Sequence, residues 1–403
     1  MIERKTYLSQ LLKTKDQPIL KIITGIRGCG KSTLFISYIE TLRALGVSEE
    51  QILWVKMEDL SNEPLEHYRK LQSYIESHLC PDATTYVFVD EIQNCRNFER
   101  ALKKLKTNPS IDLYLSSSNA HVFTAEAFTL PRQNCLFIHM LPFSFRECRQ
   151  MAVTLGVQPP EAFERYVRYG GFPFLVSLQD ESFFTYLEAI YNTIIVKDIS
   201  RSSDISDIQL LQNIVRILMA EVGSTTSVKK IADTLAYTGK ITSQTTIGKY
   251  VRALCDNYLF YKVDRYDIKA GRHLKTQGKY YAIDPGIRNV FHMGKSDDRE
   301  RQVENIVFLE LLRREGTVHI GKLNDWEIDF VVTMEGERHY YQVLSDRTPK
   351  NVRERKIAAL KKIADDEGAK TVLFLGVDRE DAIGDGIRQR NLIEWISNES
   401  PHP

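Results

Sequence analysis

The chain has 403 residues, with 54 lysines and arginines against 53 aspartates and glutamates and a formal net charge of +1. That length calls for two to three domains, each able to bury its own core, and the charge balance excludes global steering of a polyanion, so any nucleic-acid contact must come from a local patch. Cys29, Cys80, Cys95, Cys135, Cys148 and Cys255 form no C-x-x-C pair and no disulfide-like spacing, and no apolar stretch is long enough to span a bilayer, so a cytoplasmic protein without membrane contact is expected.

In chain order, the first signal is Ile19-Leu20-Lys21-Ile22-Ile23-Thr24, a short β-branched run bounded by Pro18 and Gly25 that reads as a buried parallel strand. It feeds Gly25-Ile26-Arg27-Gly28-Cys29-Gly30-Lys31-Ser32, a full G-x-x-x-x-G-K-[ST] phosphate loop, with Thr33 next. Leu34, Ile36, Tyr38, Ile39 and Leu42 then keep a helical apolar face as far as Gly46. The glycines let backbone N–H groups converge on phosphate oxygens, and the helix N-terminus adds its positive dipole end. In such a loop Lys31 holds the β and γ phosphates and the Ser32 hydroxyl meets Mg²⁺; Cys29 reads as a spacer.

The next strand, Tyr86-Val87-Phe88-Val89, ends in Asp90-Glu91. On a strand expected beside the phosphate-loop strand, Asp90 would orient the Mg²⁺ water shell and Glu91 would accept a proton from an attacking water. The competing reading makes both acids simple caps of the following helix. Phe98, Ala101, Leu102 and Leu105 have helical spacing. A third strand, Ile111 to Leu115, runs into Ser116-Ser117-Ser118-Asn119, and a further strand, Cys135 to Met140, follows Arg132. Strands alternating with helices over this stretch predict a parallel α/β sheet.

Beyond Pro142-Phe143-Ser144-Phe145 the periodicity turns helical, with a break at Pro159-Pro160, a Gly170-Gly171-Phe172-Pro173 turn and a long helix from about Glu181 to Ile195, consistent with a small helical lid. Three helices (Leu210 to Met219, Val228 to Leu235, Gln244 to Leu254) and two strands around a turn at Gly271 predict a winged helix. Ser243 caps the third helix, Lys249 and Arg252 are candidate outward charges, and Lys262, Arg265, Lys269, Arg272, His273 and Lys275 sit on the wing. Those residues suit either DNA phosphates or the solvated surface of a protein-contact module. The last segment alternates again: helix Val303 to Leu312, strands Glu327 to Val332 and Tyr340 to Leu344, helix Asn351 to Ala364, strand Thr371 to Leu375.

The phosphate loop, Val89-Asp90-Glu91-Ile92-Gln93, Leu141-Pro142-Phe143-Ser144-Phe145, Gly170-Gly171-Phe172-Pro173, Lys279-Tyr280-Tyr281-Ala282-Ile283-Asp284, and Glu304-Asn305 with Glu327-Ile328-Asp329-Phe330 together resemble the prokaryotic AAA+ ATPases in which a winged helix and a restriction-endonuclease-like domain of unknown function follow the phosphate-loop domain. The resemblance covers nearly the whole chain. It implies an α/β fold with a P-loop ATPase core over residues 1–145, a helical lid over 146–203, a winged helix over 204–290 and a nuclease-like α/β domain over 291–403. It also implies ATP and Mg²⁺ as ligands. Ser118 or Asn119 would be the polar sensor between the carboxylates and the γ phosphate, unless the stretch is an ordinary loop. Arg132 would be a finger reaching a neighbouring subunit's nucleotide, unless it is a solvated surface arginine. Gly171 and Pro173 would sense nucleotide or form an interhelical turn.

A nuclease of this fold uses a helix glutamate, a strand aspartate and an acid-x-lysine on the next strand. Glu304 and Asp329 fit the first two places, but Tyr341-Gln342-Val343-Leu344 puts the neutral amide of Gln342 and the apolar Leu344 where the acid and lysine belong. Loss of both predicts a degenerate site without cleavage. Two functions remain open: an ATP-hydrolysing machine, assembling so that Arg132 acts in trans, and a slow nucleotide-gated switch that holds DNA or a partner protein.

Overall fold

Leu20-Lys21-Ile22-Ile23-Thr24 is buried at every position, as a strand must be when helices cover both faces of a parallel sheet. The structure, a computed structural model, describes residues 3–124, 128–154, 159–178, 182–200, 205–291, 299–364, 367–376 and 381–398. The chain divides into two compact units, Met1–Pro142 with Asp256–Tyr258, and Phe143–Cys255 with Leu259–Pro403.

The first unit contains α1 (Lys5–Lys13), β1 (Leu20–Thr24), α2 (Lys31–Ala44), β2 (Ile52–Lys56), α3 (Tyr68–Ser77), β3 (Thr85–Asp90), α4 (Phe98–Leu105), β4 (Ile111–Ser117) and β5 (Cys135–His139). All five strands are parallel, in the order β2-β3-β4-β1-β5. The strand carrying Asp90 therefore does not adjoin β1, contrary to expectation: the α2 crossover carries the chain past two positions, and β3 and β4 fill the gap in turn. α1, β2 and α3 add to the expected elements. β2 is an edge strand, only partly buried, so its apolar signal is weak.

Two layers pack this sheet. On one face Leu20, Ile22, Val87, Val89, Leu113 and Leu115 meet Leu71, Ile75, Ala101 and Leu102 from the helices. Towards α2, Phe88 stacks on Tyr114 with ring centroids 4.7 Å apart, and Phe35 and Tyr38 close on Phe88 at 5.2 and 6.1 Å. Within this core Lys21 of β1 pairs with Asp112 of β4, both fully buried. Asp112 also accepts the Tyr114 hydroxyl at 2.8 Å and the Asp16 N–H at 2.9 Å. Asp256–Tyr258 complete the unit: the Asp256 carbonyl accepts the Ala120 N–H at 2.7 Å, and Tyr258 packs on His139 at 4.7 Å.

In the second unit come α5 (Phe145–Thr154), α6 (Pro159–Tyr169), α7 (Phe183–Thr193), α8 (Ile208–Ala220), β6 (Thr225–Thr226), α9 (Val228–Tyr237), α10 (Gln244–Asp256, its last residue counted in the first unit), β7 (Phe260–Asp267), β8 (Arg272–Ala282), α11 (Pro285–Val290), α12 (Arg299–Arg313), β9 (Thr317–Leu323), β10 (Trp326–Met334), β11 (Glu337–Ser345), α13 (Lys350–Lys361), β12 (Ala369–Leu375), β13 (Asp381–Gly384), β14 (Ile387–Asn391) and α14 (Leu392–Ser397). Pro159-Pro160 opens α6 instead of interrupting it, since proline's fixed φ suits a first helical turn. The long helix expected from Glu181 begins at Phe183, Glu181 lying outside the described residues, and continues past α7 as a π-helical turn over Ile194–Ile199.

Nine strands form one mixed sheet, ordered β13-β14-β12-β11-β10-β9-β7-β8-β6. The β7–β8 hairpin joins the carboxy-terminal strands through parallel pairing of Arg265, Tyr266 and Asp267 with Ile320, Gly321 and Lys322. The Gly170-Gly171-Phe172-Pro173 turn is held by Asp284, which accepts Gly171 N–H at 2.7 Å and, at the start of α11, Gly286 and Ile287 N–H at 2.8 and 3.1 Å. A Cβ at Gly171 would overlap the Phe143 carbonyl, so the turn has a packing reason of its own. Among the described residues no helix is long and apolar enough to cross a membrane.

Lys21→Met would strand the Asp112 carboxylate in the core and cost about 3–5 kcal/mol. Urea unfolding of Lys21→Met, Asp112→Asn and the double variant checks this: the double variant should recover about 1 kcal/mol or more of the summed single losses, because each single change leaves a partner unmatched.

Candidate functional site

The loop after β1 turns twice through left-handed backbone, at Gly28 (φ 80°) and Gly30 (φ 106°), before α2 begins at Lys31. A Cβ on Gly25 would collide with the Met140 carbonyl, so the first glycine is required for the loop to leave the sheet beside β5. Arg4 fastens the loop from below, donating to the carbonyls of Cys29 at 3.3 Å and Leu141 at 2.7 Å. Burial pushes the Cys29 thiol up, which keeps it protonated and suits a spacer. The Lys31 ammonium is buried. It donates to the carbonyls of Gly25 at 2.9 Å and Ile26 at 3.3 Å and pairs with Glu91 Oε1 at 3.1 Å.

Asp90 ends β3, and Glu91 follows with left-handed backbone (φ 57°, ψ 53°), a conformation that costs a side-chain-bearing residue about 1–3 kcal/mol and needs support. The support comes from β4. The Ser116 hydroxyl donates to Asp90 Oδ1 and accepts the Glu91 N–H at 2.9 Å. Ser118 N–H donates to Glu91 Oε2 at 3.0 Å, and the Gln93 amide donates to the same oxygen at 2.5 Å and to the Ser118 hydroxyl at 3.0 Å. Burial pushes the Glu91 carboxyl up, but Lys31, Gln93, Arg27 and Ser118 outweigh it and hold it at about 2. Asp90 is raised, by burial and then by the charge of Glu91, against the Ser116 and Ser32 hydroxyls that bond it. Ser32 and Asp90 thus offer hard oxygen donors side by side, a set that fits Mg²⁺.

Of the two sensor candidates, Ser118 stands in this network, while the Asn119 side chain turns away to accept the His121 N–H at 2.8 Å. Ser116 and Gln93 were not singled out by the sequence. The alternation of a strand was the available signal, since Ser116 and Ser118 lie two residues apart and share a face. Arg132 donates to the Phe123 carbonyl at 2.9 Å, with its guanidinium 5.0 Å over the Phe137 ring. Arg27 makes a bidentate pair with Glu58, at 3.0 and 2.7 Å, that was also unforeseen.

In the second unit Glu304, Asp329 and Gln342 do come together, but around lysines. Lys279 of β8 pairs with Glu304 at 3.1 Å and Glu327 at 2.9 Å, and Tyr281 donates to Glu304 at 2.7 Å. Lys356 of α13 pairs with Asp329 at 2.7 Å. Gln342 donates to the Glu327 carbonyl at 2.9 Å and accepts the Asp329 N–H at 3.4 Å. Burial pushes Lys279 down, but the surrounding carboxylates outweigh it and hold the group charged. Two ammonium groups thus face three carboxylates here, and among the described residues no group of three or more histidine, cysteine or acidic side chains is arranged to hold a metal. On α10, Gln244, Thr245 and Arg252 are exposed, and Gly248 has open space where a side chain would stand. Of the wing residues, Lys262 pairs with Asp264 at 2.6 Å, Arg265 donates to Gln277 at 3.5 Å, His273 packs on His319 at 4.6 Å, and Lys269 and Arg272 are exposed; the Lys275 side chain lies outside the described residues.

Residues 17–149 match the AAA domain family, and residues 160–298 match a domain of unknown function. An uncharacterized protein of Haemophilus influenzae is 32% identical over 401 residues, covering 98% of this chain and 98% of that one. An uncharacterized protein of Methanocaldococcus jannaschii is 26% identical over 368 residues, covering 86% of this chain and 79% of that one. The Walker-type ATPase of Pyrococcus abyssi superposes with a TM-score of 0.50 at 15% identity, over 73% of this chain and 96% of that one, a likeness of fold. With its full-length Haemophilus influenzae relative, the chain belongs to an AAA-type P-loop ATPase family.

Proposed function

We propose that this chain hydrolyses ATP with Mg²⁺ and uses its nucleotide state to move carboxy-terminal segments that contact DNA. The observation that carries the reading is the convergence of Lys31, Glu91, Asp90 and Ser32 at one end of the parallel sheet, with Lys31 and Glu91 3.1 Å apart. Lys31 and the loop N–H groups of residues 25–33 bind the phosphates. Ser32 and Asp90 would hold Mg²⁺, which neutralises phosphate charge. Glu91 takes a proton from water as the water oxygen bonds to the γ phosphorus, and the bond from that phosphorus to the bridging oxygen breaks to leave ADP and phosphate. A carboxylate held at about 2 is a poor base, so Lys31 must move from Glu91 to phosphate before turnover. That resting pair also favours a second reading, a slow nucleotide-gated switch.

The order α8, β6, α9, α10, β7, β8 suits a winged helix over residues 204–290, with 146–203 as lid and 291–403 as a nuclease-like domain used for contact. Between Ser227 and Ala282 there are eleven lysines and arginines against four aspartates and no glutamate, although the whole chain is balanced. Tyr237 and Ile241, beside α10, are 95% and 92% exposed, and Gly248 leaves the outer face of that helix open to close approach. Such a face suits a DNA groove flanked by phosphates. The carbonyl of Asp256, the last residue of α10, accepts the Ala120 N–H at 2.7 Å, next to the sensor candidates Ser118 and Asn119. Six free cysteines suit a reducing cytoplasm. Arg132 would have to leave Phe137 to serve a neighbouring copy.

At equal protein concentration Glu91→Gln should lower the basal ATPase rate by about 10²–10⁴-fold while nucleotide binding persists. An unchanged rate removes the assigned role, and a rate per chain that does not climb with protein concentration removes Arg132 as a trans-acting group. Anisotropy with duplex DNA across a salt series should fall steeply, and Arg252→Glu should weaken binding by about tenfold or more at low salt; a flat response points to a protein partner. Mn²⁺ should raise the melting temperature of Lys279→Gln by more than that of the wild-type chain, because the variant's carboxylates lose their resident cation.

A further inference from the structure

Resting on the nucleotide reading above, we propose that Arg27 is the residue that recognises the γ phosphate, and that Glu58 occupies its guanidinium until a triphosphate arrives. Arg27 lies inside the phosphate loop between Gly25 and Gly28, so its backbone is part of the cradle itself. Its head is held at the end of the sheet that carries Asp90 and Glu91, because Glu58, which grips it, follows β2 where that strand is in register with Asp90.

Glu58 reaches the same place from the neighbouring strand. Lys56, the last residue of β2, is in register with Asp90 of β3, and Glu58 stands two residues beyond it. Its two carboxylate oxygens take both terminal nitrogens of Arg27, at 3.0 and 2.7 Å, in the fork geometry with which a guanidinium also grips a phosphate. The carboxylate is therefore a stand-in for a phosphate edge. The pair is open to water, with side-chain exposures of 15% for Arg27 and 44% for Glu58, so it is worth no more than about fivefold in any competing equilibrium. A γ phosphate carries more charge than one carboxylate and meets Lys31 as well. It displaces Glu58, whereas a diphosphate, which lacks that group, leaves the latch shut.

The test is binding of ADP and of a non-hydrolysable ATP analogue to the full chain by calorimetry. Arg27→Ala should weaken the analogue by about tenfold or more and change ADP by less than about twofold, since a charge-assisted bidentate contact is lost from one ligand only. Arg27→Lys should fall between, keeping charge without the fork. Glu58→Gln should tighten the analogue by about two- to fivefold and leave ADP unchanged. Parallel weakening of both ligands by Arg27→Ala, or a parallel shift of both by Glu58→Gln, overturns the assignment and makes the pair a brace of the loop. Wild-type chain that binds neither ligand overturns the nucleotide reading itself.

Discussion

One buried ammonium governs the first unit. Lys31 has left water, a costly step that only close anionic company offsets, and its company is the Glu91 carboxylate at 3.1 Å together with two loop carbonyls. A phosphate offers the same ammonium more charge. On the proposed nucleotide reading the site works as an exchange of anions around a fixed cation, with Glu91 becoming a competent base in the step that deprives it of its partner, so that binding and activation are a single event.

The sheet makes this exchange possible by its order. With β4 between β3 and β1, the hydroxyls of Ser116 and Ser118 stand among the loop, Asp90 and Glu91, and the strained backbone of Glu91 is carried by a neighbouring strand. Direct contact between β1 and β3 would leave no room for such a bridge. The buried Lys21–Asp112 pair joins the same two strands, β1 and β4, near their amino ends, so an ion pair as well as apolar packing fixes one strand against the other.

The loop, the Asp90-Glu91 strand end and most helices were legible in the sequence because each writes a local pattern: a glycine spacing, an apolar run, a period of three to four residues. What escaped was relational. The edge strand Ile52–Lys56 carries little burial to read, strand order is set by crossovers that leave no mark on any one residue, and Ser116 differs from Ser117 only in the side of the strand it faces. Lys279 and Lys356 come from β8 and α13, far in sequence from the acids they neutralise. The absence of a lysine on Tyr341 to Leu344 gave no hint that cations arrive from other elements.

Pairing of β7 with β9 makes the hairpin and the carboxy-terminal strands one continuous ladder. Backbone hydrogen bonds resist shear far better than a polar domain boundary does, so displacing the β7–β8 hairpin drags the strands behind it as well. Trimming the chain after the hairpin would bare a row of unpaired amides and carbonyls along β7, an adhesive rim instead of a free-standing module.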